Sequence, residues 1–303
     1  MTTMSVGQIG LGKIGSIYAR HLINSGAELT VHDADPSRRE RFGDDHWRDT
    51  AAETVKDAEF ILVSLPDPDA SHRAMMGEGG IIDLAKPGAL ILDVSTIDPS
   101  TARALCDHAN VRGIDYIEAP VSGGEPMSAG TDGAENANIT FMAGGEPDAF
   151  ERAKPLMKIL GEHCLLLGPA GTGSTVKLIS NHISGLHNLV AAEAFALGRA
   201  AGIDPEDLFA VFAHTDANSY WLFNYFAPRI RNQNFEPGFS VDLQYKDHRL
   251  AEDLGRELKV PMPLNAAAMQ LYQIIRAKGA GGKDVAEAAN LFAEFAGVAR
   301  YDG

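Results

Sequence analysis

Several clusters in this chain have residue types and spacings suited to chemistry. Gly10-Leu11-Gly12-Lys13-Ile14-Gly15 sets three glycines in the pattern G-x-G-x-x-G, after the strand-like run Val6–Ile9 and at the start of the helical run Lys13–Ser25. In a strand–turn–helix unit the first glycine allows the tight turn. The second lets the backbone approach a pyrophosphate, and the third lets helix and strand pack closely, with the helix N-terminus facing the phosphates. Asp33 ends the next strand-like run, Leu29–His32, about 20 residues on, where a carboxylate can accept from ribose hydroxyls. Strand, helix and acid in register point to a dinucleotide. A carboxylate repels a 2′-phosphate, and Ala34 rather than an arginine follows it. NAD is therefore expected rather than NADP, with Arg38 and Arg39 the nearby cations that would oppose this.

Three further clusters each admit a functional and a structural reading. Asp93-Val94-Ser95-Thr96 ends a strand-like run at the carboxyl edge that borders the ligand crevice in a doubly wound sheet. Ser95 and Thr96 can touch the nicotinamide end of a cofactor there, or cap the helix that begins at Pro99. Leu65 and Pro66 stand at the equivalent end of Phe60–Leu65 and are assigned to the cofactor site. In Ala119-Pro120-Val121-Ser122-Gly123-Gly124 a strand runs into a serine and two glycines. Unshielded N–H groups and a hydroxyl can hold a carboxylate there, or the segment is a plain tight turn. Lys177 and Asn181, four apart on a long helical run, share one face among the apolar neighbours Val176, Leu178 and Ile179. A buried lysine has a lowered pKa and suits proton transfer; a surface lysine would snorkel.

The elements that must position these groups alternate in the first half. Strand-like runs are Val6–Ile9, Leu29–His32, Phe60–Leu65, Ala89–Asp93, Tyr116–Ala119, Ile139–Ala143 and Cys164–Leu167. Helical runs are Lys13–Ser25, Ala70–Met76, Pro99–His108 and Ala149–Gly161. Such alternation implies parallel βαβ units. Beyond Gly168 only helical runs remain: Thr172–Ala201, Pro205–His214, Ser219–Ile230, Val241–Leu258, Leu264–Lys278 and Val285–Gly297. The expected fold is α/β, with a dinucleotide-binding domain over residues 1–168, an all-α domain over 169–303, and a long helix joining them.

The totals remove several classes. The chain has 303 residues, 45% hydrophobic and 22% charged, with a net charge of −15 and a pI near 5.0. Nucleic-acid binding needs clustered lysine and arginine, so none is expected. No apolar stretch is long enough to span a bilayer and no signal peptide is read at the N-terminus. Two cysteines in different contexts, Cys106 and Cys164, fit a reducing cytoplasm. Ten histidines include no metal-binding pair of the H-x-x-x-H type, and His182 and His187 fall on different helix faces; no metal is expected.

With these residues in view, the chain resembles the β-hydroxyacid dehydrogenase family, which includes 3-hydroxyisobutyrate dehydrogenase and tartronate semialdehyde reductase. Five ordered motifs carry the resemblance: Gly7–Gly15, Asp93–Thr96, Ala119–Gly124, Gly171–Asn181 and Phe239-Ser240-Val241-Asp242-Leu243-Gln244-Tyr245-Lys246-Asp247. The resemblance implies a Rossmann domain followed by a helical substrate and dimerisation domain, in a homodimer or homotetramer. It implies reversible hydride transfer between a small 3-hydroxy acid, or its semialdehyde, and a nicotinamide cofactor. Lys177 would be the acid/base, Asn181 would orient it or the substrate, and Ser122, Gly123 and Gly124 would hold the substrate carboxylate. Thr96 and Lys246 would lie near the nicotinamide end, Phe239 would line the cofactor site, and Asp247 would support Lys246 or nearby backbone. Three departures stand out: Ser180 where the family usually has Asn, a longer loop over residues 125–132, and His248-Arg249 where Leu is usual, both expected to face water. Tyr220, Trp221, His248 and that loop are the candidates for selectivity. The competing readings are an imine reductase, which Lys177 disfavours, and a catalytically silent NAD(P)-binding regulator.

Overall fold

A computed structural model describes residues 4–123 and 132–301. Among the described residues eight strands form one sheet: β1 (Ser5–Ile9), β2 (Glu28–His32), β3 (Phe60–Val63), β4 (Leu90–Asp93), β5 (Asp115–Glu118), β6 (Val121–Gly123), β7 (Ile139–Gly144) and β8 (His163–Gly168). The order is β2-β1-β3-β4-β5-β7-β6, with β8 paired to β7. The pairs β1–β2, β1–β3, β3–β4 and β4–β5 are parallel. In β3 and β4 every residue is buried, as strands covered on both faces require. Alternation then sorts the side chains. Leu62, Leu90 and Leu92 join one core with Tyr18, Leu22 and Phe150, while Ile61, Val63 and Ile91 join another with Leu105 and Tyr116. Helices Lys13–Asn24 and Pro147–Leu160 supply the first core and Pro99–Val111 the second.

Two local results differ from the sequence expectation. β7 runs antiparallel to both β5 and β6, so the parallel order is interrupted there, and it resumes only in the β7–β8 pair joined by the helix Pro147–Leu160. Val121–Gly123 is also a strand rather than a tight turn, with Ser122 opposite Thr140. Part of the backbone expected to cradle an anion is therefore engaged in a ladder.

The described residues divide into two compact units, one running to Lys177 and the other from Leu178 onward. The division falls inside the helix Thr172–Ala200. The sequence places the joint near Gly168. The second unit is helical: Pro205–Phe212, a π-helical turn Leu222–Phe226 leading into Ala227–Arg231, then Val241–Leu258, Pro263–Ala277 and Ala288–Phe295. Its core gathers Phe195, Phe209, Tyr225, Phe226 and Tyr272. The helix expected over Ser219–Ile230 becomes π-helical because Pro228 has no N–H and its ring would strike the carbonyl four residues back. Among the described residues, no helix is long and apolar enough to cross a membrane.

Candidate functional site

The glycine loop has the shape its spacing predicts. Gly10 sits at φ +94, and a Cβ there would lie 2.2 Å from the Ser64 carbonyl oxygen; one on Gly15 would lie 2.2 Å from that of Gly10. Both positions are closed to any side chain. Gly12 is the opposite case: a Cβ would meet nothing within 4 Å. It also N-caps the helix Lys13–Asn24 with no side-chain hydrogen bond, so open space lies in front of helix N–H groups that no cap satisfies. A residue the sequence reading passed over holds the loop. Buried Gln8 donates from Nε2 to the carbonyls of Gly15 (2.6 Å) and Gly10 (3.2 Å). Leu11 is buried and Ile14 half-buried, whereas Lys13 is exposed.

Asp33 is tied to this loop. Its carboxylate accepts from the N–H of Leu11 at 2.6 Å and of Asp35 at 2.8 Å, which fixes its direction and leaves lone pairs for a ligand. The two nearby arginines are neutralised locally. Arg38 pairs with Asp35 at 3.2 Å, and Arg39 with Asp44 and Asp49 at 2.8 and 3.2 Å. The donors and space present fit the pyrophosphate and ribose of a dinucleotide.

The strand ends carry the next groups. Ser95 does not cap the helix at Pro99; Asp98 does, accepting from Thr101 N–H at 2.8 Å. Ser95 is buried, and its hydroxyl accepts from the N–H of Leu65 at 2.9 Å. Its own N–H bonds Asp93, whose carboxylate also accepts from Tyr116 at 3.0 Å. Ser95 thus locks the loops after β3 and β4 together, next to half-buried Thr96 and exposed Pro66. Ser122 and Gly123 lie half-buried on β6. Gly124 and residues 125–131 of the loop lie outside the described residues.

Lys177 is buried at 8% exposure, and the helix that carries it is anchored by a second residue missed in the sequence. Glu118, at the end of β5, accepts from the N–H of Gly171 (2.5 Å), Gly173 (3.0 Å) and Ser174 (3.3 Å) and from the Ser174 hydroxyl. A carboxylate at a helix N-terminus is favoured by the dipole. Burial nevertheless outweighs these donors and pushes Glu118 up to about 7. The sequence signal was an acid within the otherwise apolar run Tyr116–Ala119.

The helical unit holds the remaining groups. Asn181 donates from Nδ2 to Asp247 Oδ2 at 2.5 Å, and Lys246 Nζ lies 3.3 Å from Asp247 Oδ1. His248, expected to face water, is instead fully buried and bonds Asn265 at 2.6 Å; His182 reaches the same Asn265 oxygen at 3.1 Å. Burial holds the His248 imidazole below its ordinary range. Arg249 does face solvent. Half-buried Phe239 is placed by Asp284 and Tyr225, both of which accept from its N–H. Trp221 is buried and stacks on Tyr225, while Tyr220 is exposed. His187 is exposed on the long helix. Among the described residues no cluster of His, Cys, Asp or Glu could hold a metal ion.

Residues 5–168 match the model of the NAD-binding domain of 6-phosphogluconate dehydrogenase, and residues 171–292 that of NADP-dependent 3-hydroxyisobutyrate dehydrogenase. The chain is 31% identical to 2-(hydroxymethyl)glutarate dehydrogenase of Eubacterium barkeri, over 98% of this chain and 97% of that one. It is 31% identical to L-threonate dehydrogenase of Cupriavidus necator, over 95% and 96%. Among solved structures it is similar to 3-hydroxyisobutyrate dehydrogenase of Mycobacterium tuberculosis with L-serine, with a TM-score of 0.86 and 26% identity over 96% of this chain and 99% of that one.

Proposed function

Because the chain belongs to the β-hydroxyacid dehydrogenase family, we propose that it catalyses the reversible NAD-dependent oxidation of a small 3-hydroxy acid to its semialdehyde. The observation that carries the cofactor half is the glycine loop, with Gly12 open to space beside an uncapped helix N-terminus and Asp33 fixed on the Leu11 N–H. When bound, a nicotinamide dinucleotide supplies the acceptor for the hydride that leaves the carbinol carbon. The chain's own residues supply position and a proton acceptor. Neutral Lys177 takes the hydroxyl proton and becomes an ammonium as the carbonyl forms, a role worth roughly 10²–10⁴-fold in rate. Asn181 orients Lys177 or the substrate. Ser122, Gly123 and Gly124 are assigned to the substrate carboxylate, and Thr96, Phe239 and Lys246 to the cofactor, on the family resemblance. Ser95 acts through Leu65, as a strut for the cofactor loops.

NAD is favoured over NADP because Asp33 carries the charge a 2′-phosphate would meet, while Arg38 and Arg39 are engaged by Asp35, Asp44 and Asp49. The acids named for the relatives differ in length and charge, so the substrate is proposed only as a class. A homodimer or homotetramer is supported by Ile179, Ile183, Val190 and Leu197, exposed apolar residues on one face of the long helix. Free Cys106 and Cys164 suit a reducing cytoplasm. The test is NADH formation on a panel of hydroxy acids with each cofactor. A higher kcat/KM with NAD⁺ is expected; a clear preference for NADP⁺ would overturn the cofactor reading, and turnover of imines but not hydroxy acids would overturn the reaction.

A further inference from the structure

The bond between Asn181 and Asp247 decides which end of the Asn181 amide is available for chemistry. An ionised carboxylate only accepts hydrogen bonds. At 2.5 Å from Asp247 Oδ2 the contacting atom of Asn181 must be the nitrogen, since an oxygen there would set two acceptors against each other. The contact is well enclosed, with Asp247 at 2% and Asn181 at 8% exposure. It is also braced: Gln244, one helical turn before Asp247, donates from Nε2 to the backbone carbonyl of Asn181 at 3.1 Å. Behind it His182 and His248, the residues next in chain to Asn181 and Asp247, converge on Asn265. Among the described residues, Lys246 and His248 on its own helix are charged or titratable groups that act on Asp247, and His182 on the long helix packs against His248. Lys246 approaches Asp247 Oδ1 as an ion pair at 3.3 Å without hydrogen-bond geometry.

We propose that Asp247 is a positioning residue of the reaction: by holding the Asn181 nitrogen it leaves the Asn181 oxygen, an acceptor, as the end of the amide that meets the reacting groups. Asn181 shares its helix face with Lys177 by the four-residue spacing. An acceptor there orients the lysine through its N–H and stabilises the ammonium formed when Lys177 takes the hydroxyl proton. This rests on the reading of Lys177 as the acid/base. It gives Asp247 a role distinct from supporting Lys246, because it acts through Asn181 on the chemical step.

The test is a double-mutant cycle of Asp247→Asn and Asn181→Ala, with kcat, the pH profile of oxidation and cofactor affinity measured for each variant. Asparagine keeps the shape at 247 but lets the facing amide turn over. Asp247→Asn should lower kcat by about 10²-fold, as misplacement of a reacting group does. In the Asn181→Ala background the same change should cost less than about threefold, since residues acting as one unit are not additive. The acid limb should move to lower pH, because the ammonium has lost its acceptor; a fold defect alone would lower the profile without shifting it. Additive losses with an unshifted profile, or a change confined to cofactor KM, would overturn the proposal. Should the wild-type protein turn over no hydroxy acid, the reading of the reaction fails instead. The amide is then observed directly by side-chain ¹⁵N spectra. The Asn181 NH₂ pair, identified by its loss in Asn181→Ala, should shift strongly in Asp247→Asn, and an unmoved pair would refute the contact.

Discussion

Replacing Glu118 by alanine tests how the helix that carries Lys177 is held. The carboxylate is 1% exposed and receives three backbone N–H groups and the Ser174 hydroxyl. Each orphaned buried donor costs about 1–3 kcal/mol. Water entering the vacated space recovers part of this, so Glu118→Ala should lose about 3–5 kcal/mol, in the range for breaking a buried charged contact. That corresponds to a fall of roughly 10 °C in Tm for the transition of the N-terminal unit. The isosteric Glu118→Gln adds a pH test. Burial raises Glu118 from 4.5 to about 7, so between those values the folded chain keeps a proton that the unfolded chain has released. The stability linked to that proton is fully present below about pH 4.5 and is lost as pH rises through about 7. Glutamine has no such proton. Wild-type stability minus that of Glu118→Gln should therefore fall by about 3 kcal/mol across this window, at about 1.4 kcal/mol per unit, read by denaturant unfolding at a series of pH values. Parallel pH profiles, or an unchanged Tm in Glu118→Ala, would refute the reasoning.

Gly12→Ala should separate folding from binding: the added Cβ meets nothing within 4 Å, so the Tm of the free protein should hold, while calorimetry should show NAD affinity reduced about tenfold or more by a methyl where the pyrophosphate approaches. Gly15→Ala should instead lower the Tm, because its Cβ would lie 2.2 Å from the Gly10 carbonyl oxygen. Asp33→Asn should weaken NAD binding by about 10–100-fold through loss of charge-assisted bonds and narrow the discrimination against NADP, as measured by the ratio of the two dissociation constants.

What could be read from the sequence follows from where the partners of each residue lie. The glycine loop was legible because turn, helix start and acid are local and their roles are fixed by backbone sterics. The helix start at Pro99 was legible for the same reason, and β3 and β4 were legible because strands buried on both faces are continuously apolar. β6 was not, since Ser122 and Gly123 have turn chemistry and become a strand only by pairing with β7. Nor could Glu118 be placed, with partners 53 to 56 residues away. His248 was misassigned because polarity was equated with exposure. Gln244, Asp247 and His248 in fact lie on the buried face of Val241–Leu258, where each finds a hydrogen-bond partner in Asn181 or Asn265.

The account turns on Lys177 as the group that takes the hydroxyl proton. The direct measurement is the rate of NADH formation at 340 nm across a panel of 3-hydroxy acids, for the wild-type protein and for Lys177→Ala, with cofactor affinity determined in parallel. Turnover of one or a few acids by the wild type, lowered roughly 10²–10⁴-fold or more in the variant while NAD affinity is retained, is the predicted result. An unchanged kcat in Lys177→Ala would contradict it.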